Sequence, residues 1–261
     1  MSVITTIGQL ADPASEFKPA LLSRLSGLLP PEQQELQDGW HDIPLERRLK
    51  IVDSVVGMAE DDIEVDFLFL LLNALQDDEA TVRAAAATGL WETGDRVAIT
   101  PLVALLEADD FEEVRAAAAA ALGHFVDLAE AGKLIQRDTS RLRDALLRSL
   151  EDEDEELLVR RRSLEAIASS KTPGIEDWVR WAYHSSDPGL RRSAVFAMGR
   201  TGDSSWLSII IEEMESSSPA MRFEAANSAR ELADSEALPY LHDLVDDGDT
   251  EVALAAVHAI G

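Results

Sequence analysis

Five arginines recur along the sequence at a nearly constant spacing, and a row of guanidinium groups is a candidate binding surface for anions. They are Arg83, Arg115, Arg160, Arg191 and Arg222, separated by 32, 45, 31 and 31 residues. Acidic residues outnumber basic ones 50 to 23, however, and a planar guanidinium pairs well with a carboxylate. We therefore expect a structural ladder in which these arginines fix the register of successive units. The predicted acidic partners are Asp95, Asp203 and Asp234.

The histidines are the next candidates for chemistry, because imidazole groups bind metals and transfer protons. They are His41, His124, His184, His242 and His258. His41 and His242 each precede an aspartate, but they lie 201 residues apart in the sequence. A metal site needs several ligands that converge on one point. The sequence therefore predicts no metal site and no cofactor.

Motifs for nucleophilic catalysis and phosphate binding are absent from the sequence. It contains no Gly-x-Ser-x-Gly elbow, no glycine-rich phosphate loop and no cysteine. Carboxylates are so numerous that no pair of them stands out as an acid and base couple. We therefore expect a protein that is not an enzyme.

The net charge of −27 limits the classes of partner. Nucleic acids and anionic membrane surfaces repel such a chain, because both are bound through lysine and arginine. The acidity either keeps the protein soluble or complements a protein partner with a basic surface. The longest apolar run, 67–72, is too short to span a bilayer, and Met1–Ser15 lacks the pattern of an export signal. We expect a cytoplasmic location.

The arginines belong to a longer motif, and that motif defines the elements that position them. Each arginine follows an apolar residue. A further apolar or small site comes later in each unit, and a Gly/Asp turn and a pair of apolar residues often follow it. A fixed period of this length is typical of stacked supersecondary units, and apolar spacings of three and four predict two helices, A and B, in each unit. The apolar positions that start the units are Val82, Val114, Val159, Leu190, Met221 and Val252.

The predicted fold is all-α, an α-solenoid or superhelix of stacked antiparallel helix pairs, built as one continuous domain. Residues 1–43 are expected to form capping helices, at Ser15–Leu29 and Pro31–His41, before a repeat array over 44–261. Residues 44–76 form a degenerate first pair, and residues 77–261 carry the clear repeats. Additional residues around Val126–Ser140 are expected to project as a loop between helices A and B.

The segment from Asp187 to Asp203 reads Asp-Pro-Gly-Leu-Arg-Arg-Ser-Ala-Val-Phe-Ala-Met-Gly-Arg-Thr-Gly-Asp. It resembles the HEAT-repeat family, and most of all the subtype named for the lyases that attach phycobilin chromophores. The resemblance covers Asp77 to Gly261 and implies stacked helix pairs. Such repeats serve scaffolds, lyases and hydroxylases alike, so the resemblance does not choose among these functions.

Two enzyme classes with this fold carry features that can be compared with the sequence. Di-iron hydroxylases built on HEAT repeats have repeated His-Glu pairs, whereas no histidine here precedes a glutamate. HEAT-like DNA glycosylases place aromatic and acidic residues in a cleft within a strongly basic surface. Asp177, Trp178 and Trp181 are similar to the cleft, but the basic surface is missing.

Helix B of each unit is expected to line the concave face of the superhelix. Charged and polar residues dominate the positions that face this groove, and apolar Val103, Trp181 and Ile211 interrupt them. Exposed apolar residues rimmed by charge indicate a contact site, and tryptophan is a favoured anchor. The candidate partner-binding residues are Val103, Glu107, Arg180, Trp181, His184, Ile211, Glu212, Glu215, His242 and Asp246.

Three functional hypotheses follow. The first is a non-catalytic scaffold that binds a protein with Trp181 as the anchor, while acids such as Glu212 steer basic groups. The second, implied by the resemblance alone, is an enzyme similar to the bilin lyases or to other HEAT-repeat modifying enzymes. The third is self-association through an apolar C-terminal edge at Val252, Val257 and Ile260, where the sequence stops after a helix A.

Overall fold

The computed structural model describes residues 2–91 and 93–261, and all regular structure in these residues is helical. As predicted, the fold is an all-α solenoid of stacked helix pairs. The chain divides into two compact units, the first ending at Phe125 and the second running from Val126 to Gly261. The expectation of one continuous domain over 44–261 stays a prediction, and the two units are described separately.

The first unit begins with two N-terminal helices and continues with further helices of the stack. Its helices are α1 (Val3–Ala11), α2 (Pro30–Gly39), α3 (Leu45–Asp61), α4 (Leu68–Ala74), α5 (Ala80–Gly89), α6 (Ile99–Ala108) and most of α7 (Glu112–Glu130). Helices α3 and α4 lie where the degenerate first pair is expected, and α5 packs against both of these helices. The capping role of residues 1–43 and the pairing of α3 with α4 stay predictions.

The expected helix over Ser15–Leu29 is wrong. The only regular structure there is a 3-10 helix at Pro19–Leu25, and Gly27 then takes a left-handed φ of +61°. The first cap is instead α1, in which Val3, Ile7 and Leu10 are buried along one side. The Ser2 hydroxyl accepts a hydrogen bond from the Thr5 amide and so caps this helix.

The second unit contains four complete B helices and the A helices that pack between them. The A helices are α9 (Leu157–Ile167), α11 (Pro188–Thr201), α13 (Pro219–Leu232) and α15 (Thr250–Ile260), and each packs against the next. The B helices are α8 (Gln136–Glu151), α10 (Ile175–Tyr183), α12 (Leu207–Met214) and α14 (Leu238–Leu244).

Small residues set the spacing of the A helices. Gly199 of α11 faces Ser228 of α13 so closely that an added Cβ would lie 2.7 Å from the Ser228 Cα atom. The Ser228 hydroxyl donates a 2.8 Å hydrogen bond to the Val195 carbonyl across the same contact. Any side chain at position 199, that of alanine included, would force these two backbones apart.

The additional residues of the long repeat extend its helices, so the expected loop over Val126–Ser140 is wrong. Helix α7 continues to Glu130 and α8 begins at Gln136, which leaves a short turn between them. In this turn Gly132 has a φ of +69°, and the Lys133 amide donates to the Leu128 carbonyl. Local hydrogen bonding of this kind ends a helix without an insertion loop.

Candidate functional site

The arginine ladder joins the linkers on the two sides of a repeat. Arg83 donates two hydrogen bonds to the Asp109 carboxylate, at 2.7 and 2.9 Å, and Arg222 makes the same pair with Asp247, at 2.7 and 2.8 Å. The Nη1 groups of Arg83 and Arg222 also donate to the carbonyl oxygen six residues earlier, each at 2.8 Å. The same bond, from Arg115 to the Asp109 carbonyl, is present in the next repeat.

Hydrogen bonding from the arginine stabilises the ionised form of the ladder aspartate. The pKa of Asp247 lies below its ordinary value, chiefly because Arg222 donates to its carboxylate and secondarily because the Asp249 amide does so. Arg83 and Arg222 therefore connect successive linkers through hydrogen bonds, and the structural role of the whole ladder stays a prediction.

The acidic partners predicted for the ladder are wrong. Asp95, Asp203 and Asp234 each accept a hydrogen bond from the amide two residues later, at 3.0, 2.9 and 3.0 Å, and so cap the 3-10 turn that precedes a B helix. Short aspartate side chains form such local bonds readily, which takes them away from distant partners.

The remaining ladder arginines use other partners. Arg191 donates to the Glu213 carboxylate at 3.1 Å. Arg160 donates to the Leu150 carbonyl at 3.1 Å, and its guanidinium lies over the ring of Trp181.

A further ladder position, in the degenerate first pair, was missed from the sequence. Asp77 is buried and accepts hydrogen bonds from Arg48, at 2.6 and 2.5 Å, and from the Trp40 indole, at 2.6 Å. The sequence contained one signal for it, since an aspartate stands five residues before the first apolar position of four units. These pairs are Asp77 with Val82, Asp109 with Val114, Asp154 with Val159, and Asp247 with Val252.

Helix α10 and its C-cap present three of the ten predicted contact residues, Arg180, Trp181 and His184, on one exposed stripe. Ile175, Val179 and Ala182 are buried on its inner side. The opposite side, at spacings of three and four residues, is exposed and consists of Asp177, Arg180, Trp181 and His184. The helical period alone therefore gathers a cation, an aromatic ring and an imidazole on one surface.

The other predicted contact residues lie on three B helices, and one of them is wrong. Val103 is only 1% exposed, because α6 buries a wide stripe that also contains Ile99, Leu102 and Leu106. Ile211 is half-buried. The exposed residues are Glu107 in the first unit and Glu212, Glu215, His242 and Asp246 in the second.

Trp181 is exposed and firmly supported. Its side chain is 38% exposed, and the Arg160 guanidinium lies 4.6 Å from its ring centroid. The ring of Trp178 meets it nearly edge-on, with centroids 5.4 Å apart and an interplanar angle of 82°. Cation–π and edge-to-face contacts restrict the ring, so it presents a pre-organised apolar surface.

A partly buried polar cluster, also missed from the sequence, connects α10 to α11 and α12. The Tyr183 hydroxyl donates to Glu213 at 2.7 Å, and Arg191 donates to the same carboxylate oxygen. Burial, and then the hydrogen bond to Glu213, raise the pKa of Tyr183 to about 12. The Arg180 guanidinium also lies 4.5 Å from the ring centroid of Trp206, the residue directly before α12. Arg180 and Tyr183 therefore connect the C-terminal half of α10 to the elements that follow it.

Metal-binding and membrane-spanning features were sought throughout residues 2–91 and 93–261. Within them, no three side chains of the metal-binding types are arranged to hold an ion. None of the helices described there combines the length and hydrophobicity needed to cross a bilayer.

Comparison with known families agrees with the repeat pattern and the fold. The sequence model of the HEAT repeats matches residues 68–137 and 175–261. The chain belongs to the HEAT-repeat family. No curated protein matches the sequence.

Solved structures with this fold include the complex of CpcE and CpcF of phycocyanin lyase from a Nostoc species. It is 17% identical, with 96% of this chain and 89% of that chain covered, at a TM-score of 0.55. Human deoxyhypusine hydroxylase is 20% identical over 99% of this chain and 94% of that chain, at a TM-score of 0.40. Kap95p, in its complex with RanGDP, is 14% identical over 99% of this chain and 36% of that chain, at a TM-score of 0.47.

Proposed function

We propose that this HEAT-repeat protein is a non-catalytic scaffold that binds another protein along the helix-B face of its second unit. The observation that carries the proposal is the supported, exposed ring of Trp181. Binding energy at protein interfaces concentrates in a few aromatic and arginine side chains. A ring that is already ordered loses little entropy when a partner covers it.

Arg160 and Arg180 lie beside Trp181, but the exposed charges of the following B helices come from carboxylates, and these favour a partner with basic groups. Glu212, Glu215 and Asp246 are exposed on the neighbouring B helices, and the whole chain carries a charge of −27. Charges at the rim of an interface act mainly by steering the approach of the partner and by rejecting like-charged proteins. The apolar ring then supplies the contact, and the carboxylates supply selectivity.

The enzyme alternative has support from fold resemblance only. The phycocyanin lyase structure is a complex of two chains, CpcE and CpcF, so a protein–protein contact accompanies this fold in that case as well. Incubation of the protein with a bilin and a carrier protein discriminates the two functions. A scaffold gives no coloured covalent adduct, and formation of one would replace the proposal with the lyase function.

The decisive experiment measures how Trp181→Ala affects binding of the purified partner. Partners are captured from the native host with the wild-type protein and identified by mass spectrometry, and affinities are then measured by calorimetry. We expect Trp181→Ala to weaken binding about 30-fold, which corresponds to ~2 kcal/mol at an interface anchor. Its free energy of unfolding should stay within about 1 kcal/mol of the wild type.

The matched control is Ile4→Ala, which truncates an exposed apolar side chain on α1. It should bind the partner as tightly as the wild type. Equal affinity of the Trp181→Ala variant and the wild type would reject Trp181 as the anchor. Replacement of Glu212 and Glu215 by glutamine should slow association and reduce its dependence on salt, with little change in dissociation.

A further inference from the structure

The first unit contains a mainly apolar pocket, and none of its lining residues is among the residues predicted to contact a partner. Its volume is about 250 Å³, and it opens between the ends of α3 and α5, the segment 63–67 and the start of α4. Phe67, Leu71 and Leu90 are buried in its wall. Ile63, which is 98% exposed, and Trp91, which is 49% exposed, stand at its opening.

The pocket is built by close packing of three helices. Gly89 is the last residue of α5, and an added Cβ there would lie 2.4 Å from a methyl carbon of Val56 on α3 and 3.3 Å from a methyl carbon of Leu71 on α4. The backbone of α5 therefore packs directly against these two side chains, which form part of the wall of the pocket. A preformed and mainly apolar cavity of this size accommodates one large side chain with little reorganisation.

The opening of the pocket is surrounded by negative charge. Seven consecutive positions of the chain contain the five carboxylates Glu60, Asp61, Asp62, Glu64 and Asp66, all of them exposed. No lysine or arginine occurs between residues 51 and 82. A peptide with acidic residues beside its pocket-binding side chain is repelled here. Basic residues at the same places increase both the association rate and the strength of binding.

We infer that this pocket binds a short segment of a partner protein in which a large apolar side chain is flanked by lysines or arginines. The apolar side chain enters the pocket and covers Phe67 and Leu71. Ile63 and Trp91 pack against its exposed side, and the basic groups meet Glu60, Asp61 and Glu64. This site is independent of the helix-B surface, so a partner can engage either one without the other.

The test uses a fluorescein-labelled peptide with a central Leu-Phe pair and lysines on both sides. Two control peptides replace the Leu-Phe pair by alanines or the lysines by glutamates. Fluorescence anisotropy with the full chain should show that the first peptide binds at least about tenfold more tightly than either control. In NMR spectra of the protein labelled at its isoleucine methyl groups, the Ile63 methyl signal should shift as the peptide is added.

Two variants locate the binding. Ile63→Ser removes an exposed apolar side chain, and the triple change Glu60→Gln, Asp61→Asn and Glu64→Gln removes charge without removing volume. All four positions are exposed, so both proteins should fold. Each variant should weaken peptide binding about tenfold, and the triple variant should also show less dependence on salt. Trp181→Ala should bind the peptide like the wild type, which separates this site from the proposed scaffold surface.

Several results would overturn the inference. They are failure of the first peptide to bind, equal binding of the alanine peptide, and binding that both variants leave unchanged. If the Trp181→Ala variant loses peptide binding, the peptide binds at the helix-B surface and not in this pocket. If sedimentation shows a wild-type dimer that Ile63→Ser dissociates, the occupant is a second copy of this chain rather than a basic segment.

Discussion

The A helices and the B helices of the second unit, called the A row and the B row below, differ in how they pack against their neighbours. The A helices α11 and α13 have 14 residues each and bury small side chains against one another. The B helices α10, α12 and α14 have 9, 8 and 7 residues and keep one side exposed. Backbone contact between the A helices fixes their positions, so changes there should cost stability. The B helices can vary their exposed side chains, and Trp181 lies on one of them.

The largest expected effect is that of Gly199→Ala in the A row. The new Cβ would lie 2.7 Å from the backbone of Ser228, so α11 and α13 have to separate. We expect a loss of about 2–3 kcal/mol in the free energy of unfolding, measured by urea denaturation. Gly57→Ala in α3 is the control, because nothing lies within 4 Å of the added Cβ there. It should stabilise the protein by about 0.5–1 kcal/mol, and a neutral Gly199→Ala would contradict the importance of the A-row contact.

The next largest loss of stability is expected at the arginine ladder, which connects the start of an A helix to the linker after the following B helix. The Arg222 and Asp247 side chains are 18% and 9% exposed, so either one is left without its charged partner when the other is replaced. Arg222→Ala or Asp247→Asn should each cost about 2 kcal/mol. The double variant should cost much less than the sum of the two, as thermal and urea unfolding of all four proteins will show. Additive losses would mean that the two side chains do not act as a pair.

The A row also contains a glutamate whose titration should make stability depend on pH. Burial, and then the negative charge of Glu165, raise the pKa of Glu224 to about 7, although Arg192 and Arg162 act in the opposite direction. The folded state therefore favours the protonated form of Glu224. Its stabilising contribution is complete below the ordinary pKa of 4.5 and is lost as the pH rises through about 7.

Comparison with Glu224→Gln isolates this contribution. Between about pH 5 and pH 7.5 the wild type should lose on the order of 1–2 kcal/mol relative to the variant. The ladder aspartate Asp247 has a lowered pKa, so it loses its contribution only below the ordinary value of 3.8, outside this range. Urea unfolding at several pH values provides the measurement. Parallel stability curves for the two proteins would show that Glu224 stays ionised in the folded state.

The smallest effect is expected on the exposed side of the B row. Glu212→Gln and Glu215→Gln should each change the free energy of unfolding by no more than about 0.5 kcal/mol, as is usual for surface positions. A loss as large as that of Gly199→Ala would remove the distinction between the two rows. Thermal unfolding followed by circular dichroism measures the stability of each of these variants.

Periodicity predicted the repeats well but could not predict which side chains meet across them. Apolar spacing located the A and B helices of 77–261, because every repeat must bury the same stripe. It misplaced Val103, since the width of the buried stripe on α6 depends on neighbouring helices. The ladder arginines were found, whereas Asp95, Asp203 and Asp234 were paired with them in error. An aspartate near a turn has a local amide available as well as a distant arginine, and spacing alone does not decide between them.

The exposed surfaces were the hardest to predict. The position of Trp181 in the repeat predicted that its side chain is exposed, and its role as a contact residue stays a prediction. Its support by Arg160 and Trp178 depends on three-dimensional packing that the spacing does not reveal. The pocket between α3, α4 and α5 had no repeat signal, because residues 44–76 depart from the motif. The acidic run at 60–66 is visible in the sequence, yet only the fold places it beside Phe67 and Leu71.

The hydrogen bonds of Arg83 and Arg222 have a consequence for how a protein of this type changes length. Each of these arginines donates hydrogen bonds to the linker before its own helix and to the linker after the following one. A duplicated unit of about one motif period would therefore bring its own guanidinium and its own carboxylate, and every existing pair would keep a counterpart at the same distance. Gain or deletion of a whole repeat therefore changes the length of such a chain while disturbing its structure least. Insertion of a few residues into a linker, by contrast, separates an arginine from its aspartate.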